Sequence, residues 1–108
     1  MSGGHYDYQE WKIREVTESV AEDLSGPPDP DREWIPKDQA LADLVRSMGE
    51  ALHEVCHDVD YHICGDTTLG DLDEYRGAVI EKIRSILDEA DQAHRRALFN
   101  KAMAKEGY

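Results

Sequence analysis

Long apolar runs are missing from this sequence of 108 residues, and cysteines, aromatic residues and basic residues are all scarce. Without an apolar stretch of about 20 residues, no membrane-spanning helix is expected. The two cysteines, Cys56 and Cys64, are too far apart on one predicted helix to form a disulfide. Because the sequence also lacks a signal-peptide pattern, it favours a reduced, cytoplasmic location.

The shortage of basic residues is the strongest compositional signal, with 12 lysines and arginines against 24 acidic residues and a formal net charge of −12. Residues 1–66 hold 16 acidic and 5 basic side chains, a net of −11, whereas residues 67–108 hold 8 and 7, a net of −1. Phosphate contacts require basic surface, so direct binding to nucleic acid is not expected. A partner with a basic surface, or a cation, is favoured instead.

Prolines are also few, and all four lie between positions 27 and 36, where they end one helical pattern before the next begins. A chain of this length forms one domain. Apolar spacing predicts a mobile arm at 1–8, helices at 9–24 and 36–64, a Pro-rich connector at 25–35, and a third helix with its extension at 71–104. The predicted fold is all-α, a small three-helix bundle built on a long antiparallel hairpin with a C-terminal helical extension.

The second predicted helix carries an apolar stripe at three- and four-residue spacing, which predicts its buried face. That stripe comprises Leu41, Leu44, Met48, Leu52, Val55, Val59 and Ile63. Asp71 is expected to cap the third helix. Trp34 and Ile35 are expected to tuck into the core, and Trp11 to cover a loop, although either tryptophan could instead anchor a partner. Around Leu98 the third helix either projects past the bundle or folds back on the first helix.

A polar flank of the second helix holds residues that could bind a metal ion. His53 and His57 are four positions apart and Asp60 follows three later, so their side chains share one side of the helix. Such a set could hold a divalent metal such as zinc, with further ligands supplied from elsewhere, such as His5, Asp7 or Asp66. The favoured interpretation is simpler, namely polar side chains on a partly exposed flank with no bound cofactor.

The opening Ser2-Gly3-Gly4-His5-Tyr6-Asp7-Tyr8 and the later His57, Asp60, Tyr61, Gly65 and Asp66 resemble a family of small acidic proteins encoded by bacteriophages and prophages. Members share a Ser-Gly-Gly start with an aromatic-Asp-Tyr run. They also share a His-x-x-Asp-aromatic stretch followed by Gly-Asp. The resemblance implies a viral origin and a bacterial host cytoplasm, and it implies no mechanism.

These features predict a non-enzymatic interaction protein that binds and modulates or inhibits a host protein with a basic surface. Nucleic-acid mimicry, as in anti-restriction or anti-CRISPR proteins, is one form of this hypothesis, and homo-oligomerisation is a further option. The candidate partner-binding residues are Trp11, Trp34, Glu15, Glu18, Glu22 and Asp23. The alternative is sequestration of a metal, a small ligand or a nucleotide by the flank of His53, His57 and Asp60. Catalysis is not expected, because the sequence contains no nucleophile elbow and no Gly-rich phosphate loop.

Overall fold

A computed structural model describes Gly4, Tyr6 and residues 9–105 of the chain. Over these residues the protein is all-helical and contains no strand, which confirms the predicted fold class. The elements are three α-helices and one short 3₁₀ turn: α1 at Glu10–Leu24, the turn at Pro30–Arg32, α2 at Gln39–Ile63 and α3 at Leu72–Lys105.

Side-chain caps decide where the two longer helices begin. Asp38 accepts a hydrogen bond from the backbone N–H of Leu41 at 2.9 Å, so α2 begins at Gln39 rather than at the Pro36 suggested by the sequence pattern. Asp71 caps α3 in the same way through the backbone N–H of Glu74. Between the helices, Gly65 has a φ of +81°, a left-handed conformation that glycine adopts without strain.

The three helices form a flat layer with α2 in the middle. α1 and α3 pack on opposite sides of α2, and within the described part of the chain they do not pack on each other. The extents are 60 × 32 × 12 Å between Cα atoms, and the radius of gyration is 18.2 Å. A compact domain of this length has a radius of gyration of about 13 Å. The bundle is therefore open rather than closed around a central core.

Small residues set the contact between α1 and α2. The Thr17 side chain occupies the space above Gly49, and a Cβ built on Gly49 would lie 2.5 Å from the Thr17 Cβ. The buried hydrophobic residues of the described chain are correspondingly small apart from one leucine, and they are Ala21, Leu24, Ala42 and Ala51. Ala21, Leu24 and Ala42 form one cluster between α1 and α2, whereas Ala51 lies on the side of α2 that faces α3. The helices α1 and α2 approach closely because the small side chains leave room for the backbone.

The predicted burial of the α2 stripe is therefore partly wrong. Leu41, Leu52 and Ile63 are about half exposed, and Leu52 retains 53% of its accessible surface. The reason is directional: α1 and α3 occupy the two sides of α2, so the side that carries most of the stripe faces open space. A leucine stripe indicates which face is apolar, but it does not supply the element that covers it.

Hydrogen bonds to backbone carbonyl groups at the end of α1 hold the connector, and its tryptophan does not. Lys37 Nζ donates to the carbonyl oxygens of Asp23 at 2.8 Å and Ser25 at 3.2 Å, and the Asp38 N–H donates to the Leu24 carbonyl at 2.8 Å. These bonds satisfy carbonyls at the end of α1. The expectation that Trp34 tucks into the core is wrong, because its side chain is 76% exposed.

α3 continues without a break past Asp91 and extends beyond its neighbour. It has 34 residues and α2 has 25, which correspond to lengths of about 51 Å and 37 Å. Ala93 lies near Ala40 at the start of α2, so the segment after Ala93 has no helix beside it. In the described chain this extension projects rather than folding back on α1, and Phe99 is 64% exposed.

Candidate functional site

Asp60 has a different environment from the one its position on a polar flank suggested. Its side chain is fully buried, and its carboxylate accepts hydrogen bonds from the backbone N–H groups of Gly4 at 2.8 Å and Tyr6 at 3.3 Å. Charge-assisted bonds to backbone amides are among the stronger hydrogen bonds in proteins. Asp60 therefore attaches the start of the chain to the end of α2. His5 and Asp7, which were considered as additional metal ligands, lie outside the described residues.

Four aromatic rings form a ladder on the polar side of the layer. The Trp11 ring centroid lies 4.9 Å from that of His53, the His53 ring 6.1 Å from that of His57, and the His57 ring 4.1 Å from that of Tyr61 in a stacked arrangement. The three α2 rings recur every four residues, so they follow one face of the helix. We call this group of Trp11, His53, His57 and Tyr61 the ring ladder.

The predicted metal set does not come together as three ligands. Over the residues that the structure describes, no group of three histidine, cysteine, aspartate or glutamate side chains is placed to hold a metal ion. Asp60 points into the α1–α2 contact and bonds the chain start, whereas His53 and His57 join the ring ladder. The described geometry thus gives the zinc hypothesis no support.

Four of the five candidate partner-binding residues of α1 share one stripe on the helix surface. Trp11, Glu15, Glu18 and Glu22 follow one another at three- and four-residue spacing, which places them within about 60° of each other around the helix. Three of them line an open depression together with Arg14 and Ser19. We call these four residues the α1 stripe.

Two other predicted partner-binding residues lie apart from the α1 stripe. The Asp23 side chain lies on another side of α1, and its backbone carbonyl accepts the hydrogen bond from Lys37 Nζ. Trp34 lies on the connector and is the more exposed of the two tryptophans, since Trp11 is 49% exposed. Within the stripe, Glu18 already pairs with Arg46 of α2 at 3.3 Å. The stripe therefore offers two acidic groups, Glu15 and Glu22, beside an aromatic anchor.

A buried carboxylate was missed by the sequence reasoning. Glu10 is only 3% exposed, and among the described residues neither of its carboxylate oxygens has a hydrogen-bond partner. It borders a groove of about 450 Å³ between α1 and the end of α2. The signal was present in the sequence, because Glu10 precedes Ile13, Thr17, Ala21 and Leu24 at the spacing of the α1 residues that face α2. The Nε2 atom of His53 is a third buried side-chain atom with no hydrogen-bond partner in the described part of the chain.

The side of the layer opposite the ring ladder is apolar. Its centre is a groove of about 440 Å³ whose floor is α2 and whose walls include Thr17 of α1 and Ile83 of α3. Helical spacing extends this surface along all three helices. We call it the apolar face, and its residues include Ile13, Val16, Val20, Leu41, Met48, Leu52, Val55, Val59, Val79, Ile80, Ile83 and Leu87.

Polar contacts tie α3 to α2 along the edge away from the apolar face. The Tyr75 hydroxyl donates a hydrogen bond to Asp58 at 2.7 Å, and Lys82 pairs with Glu54. Burial, followed by the hydrogen bond to Asp58, raises the pKa of Tyr75 above its ordinary value. The tyrosine therefore stays protonated and keeps donating over the whole neutral range.

Comparison with known proteins does not assign this arrangement to a family. The chain matches no protein-family model, and no curated protein or solved structure is significantly similar to it. Among the described residues, no helix is both long enough and apolar enough to cross a membrane. The described part of the protein is an open, acidic layer of three helices with one polar and one apolar side.

Proposed function

We propose that the protein is a non-enzymatic binding protein that docks on a basic surface of another protein through the α1 stripe. The observation that carries this proposal is the position of half-exposed Trp11 in line with Glu15, Glu18 and Glu22. A tryptophan supplies a large apolar contact, and surrounding acidic groups select a basic partner. Exposed Trp34 on the connector adds a second aromatic anchor.

The charge distribution supports a partner that normally binds nucleic acid. Residues 1–66 carry a net charge of −11, which attracts a basic cleft over a distance of about a Debye length. Occupying such a cleft would inhibit the host protein by competing with its nucleic acid. The resemblance to bacteriophage proteins fits this role, and the site of action would then be the cytoplasm of the bacterial host.

The test is salt-dependent capture of nucleic-acid-binding proteins by the immobilised full chain. Bacterial lysate cleared of nucleic acid is applied, and retained proteins are eluted with duplex DNA and identified. We expect the Glu15→Lys/Glu22→Lys variant to lose this DNA-displaceable set. Trp11→Ala should weaken its retention by about tenfold or more, because an interface anchor is typically worth over 1 kcal/mol.

A charge-matched control separates the stripe from general acidity. Glu74→Lys/Asp88→Lys makes the same change in net charge on exposed positions of α3. Retention by this control should equal that of the wild type at every salt concentration. Equal retention by wild type, control and stripe variant would contradict the proposal, as would binding that high salt leaves undiminished.

A second candidate function is capture of a small planar ligand by the ring ladder. Stacked rings with a half-exposed tryptophan at one end form a platform on which a nucleobase could stack, a contact worth about 1–3 kcal/mol per base. Buried His53 Nε2 offers an unpaired polar atom beside it. Any phosphate would have to be met by cations from elsewhere, such as Arg76, Lys82 or Arg84 of α3.

Calorimetric titration with nucleotides distinguishes capture of a planar ligand from binding to a basic protein. If the ring ladder captures a nucleotide, His57→Ala and Tyr61→Ala should abolish the heat of binding, whereas His94→Ala on exposed α3 should not. The same variants leave Glu15 and Glu22 in place, so capture of basic proteins should persist. The absence of binding heat with the wild type and every nucleotide tested would exclude this second candidate.

A further inference from the structure

The described chain has an unusually large surface for its mass. Its accessible surface is 8112 Å² at 12.3 kDa, whereas a compact monomer of that mass exposes about 6100 Å². The excess is about 2000 Å². A stable protein interface buries about 800 Å² on each partner, and obligate homodimers bury more. The surplus surface is therefore of the size that a permanent interface covers.

We propose that a second copy of this chain covers the apolar face, so that two flat layers stack into a two-layer, six-helix homodimer. Layers of helices bury their apolar sides against another layer, and this face has none of its own. The buried hydrophobic residues of the described chain are three alanines and one leucine, which is too small a core for a stable domain. A matching second layer completes that core.

Self-association has to overcome the electrostatic repulsion between two chains that each carry a net charge of −12. The residues named for the apolar face are uncharged, and the one acidic group of the groove at its end is Glu10, which is only 3% exposed. The repulsion therefore acts mainly at the rim. The α3 extension offsets it, because residues 92–105 contain Arg95, Arg96, Lys101 and Lys105 and no acidic residue. In a twofold pair, each extension can reach acidic side chains of the partner outside the α1 stripe, which gives two attractive contacts per dimer.

This pairing is independent of the proposed function. It uses the side of the layer opposite the ring ladder, so Trp11, Glu15 and Glu22 remain open in both copies. The dimer would then present two α1 stripes and two ring ladders, and it would bind a repeated or symmetric partner more tightly than one copy would. Failure to capture host proteins would not contradict the dimer, and a monomeric protein would not contradict the capture of host proteins.

Native mass spectrometry and sedimentation of the untagged full chain at about 1–100 μM test the pairing. We expect a dimer, or a larger assembly built of dimers. Leu52 lies near the middle of α2 on the apolar face, so Leu52→Glu should raise the dissociation constant by about 100-fold or more, because a carboxylate would be buried without a partner. Ser85→Glu adds the same negative charge at an exposed position of α3 outside the apolar face and should leave the constant unchanged.

Two further variants keep the outcome clear. If circular dichroism shows that Leu52→Glu is unfolded, Leu52→Ala replaces it and should raise the dissociation constant by about tenfold. Arg95→Glu/Arg96→Glu should weaken pairing more than the charge-matched Lys12→Glu/Arg32→Glu. A wild type that stays monomeric at about 100 μM, or an oligomer whose dissociation constant neither Leu52 variant raises, overturns the proposal.

Discussion

Two helical glycines provide the sharpest test of how α1 packs on α2. Gly49 and Gly77 both lie inside helices, so replacing either with alanine gains about 1 kcal/mol of helix propensity. The surroundings differ: a Cβ at Gly77 meets nothing within 4 Å, whereas one at Gly49 would lie 2.5 Å from the Thr17 Cβ and 2.7 Å from its Cγ2. Gly77→Ala should therefore stabilise the fold by about 0.5–1 kcal/mol.

Gly49→Ala should have the opposite sign. Thr17 cannot easily move away, because its hydroxyl donates to the Ile13 carbonyl at 2.9 Å and its β-branched side chain has few rotamers in a helix. Overpacking of this kind costs about 1–3 kcal/mol, and here it has to exceed the propensity gain. We expect a net destabilisation of about 1–2 kcal/mol, or roughly 4–16 °C in melting temperature.

The assay is urea denaturation of both variants and the wild type at one protein concentration, because association would make stability concentration-dependent. Thr17→Ala removes two of the three crowding atoms and should recover part of the loss in a double-mutant cycle. If Gly49→Ala and Gly77→Ala stabilise the protein equally, the close approach of α1 to α2 through Gly49 is refuted.

Two other contacts give predictions that the same denaturation assay can check. Asp60→Ala removes a buried acceptor of the Gly4 and Tyr6 N–H groups and should lower the free energy of unfolding by about 2–4 kcal/mol, with faster hydrogen exchange at both amides. A decrease below about 0.5 kcal/mol would contradict the attachment of the chain start to Asp60. The raised pKa of Tyr75 means that folding favours its protonated form. Its contribution is thus complete below about pH 10 and is lost as the pH rises from there through the higher pKa of the folded state, because over this range the unfolded chain releases the proton first. Stability should therefore fall less steeply above pH 10 in Tyr75→Phe than in the wild type.

The helices themselves were predictable because their signals are local. Apolar spacing and the proline cluster located α1, α2 and α3, and the cap of α3 by Asp71 was visible in the sequence. The start of α2 was predicted at Pro36 because that proline suits a first turn, but Asp38 captures the helix start with its own side chain. Local capping competes over a few residues, so boundaries are less certain than the helices themselves.

Burial was harder to predict because it depends on which helix lies beside which. The leucine stripe of α2 implied that Leu52 is buried and that Asp60 is partly exposed, and the structure reverses both. The cause is the seam of Ala42, Gly49 and Asp60, whose small or hydrogen-bonded side chains allow α1 to approach on that side. Judged by hydrophobicity alone, leucine is expected at a helix–helix contact before glycine. Close packing of two helix backbones instead favours the smaller residue.

The candidate sites were predicted in part. Trp11, Glu15, Glu18 and Glu22 were named from the sequence as candidate partner-binding residues, and their alignment on one side of α1 became evident once the helix was placed. The ring ladder required two helices, because Trp11 meets His53 only after α1 packs on α2. Glu10 was missed although its spacing places it on the side of α1 that faces α2, because a glutamate is ordinarily expected in solvent and its burial becomes evident only once α2 packs there.

The sequence by itself determined the helices, the acidic charge and the existence of one apolar stripe, because each depends on residues close together in the chain. Only the tertiary structure decided that α1 and α3 lie on opposite sides of α2. That arrangement buries Asp60, leaves Leu52 and the apolar face open, and extends α3 past its neighbours. The physical reason is that packing direction depends on fitting small residues across two helices, a relation that no single helix encodes.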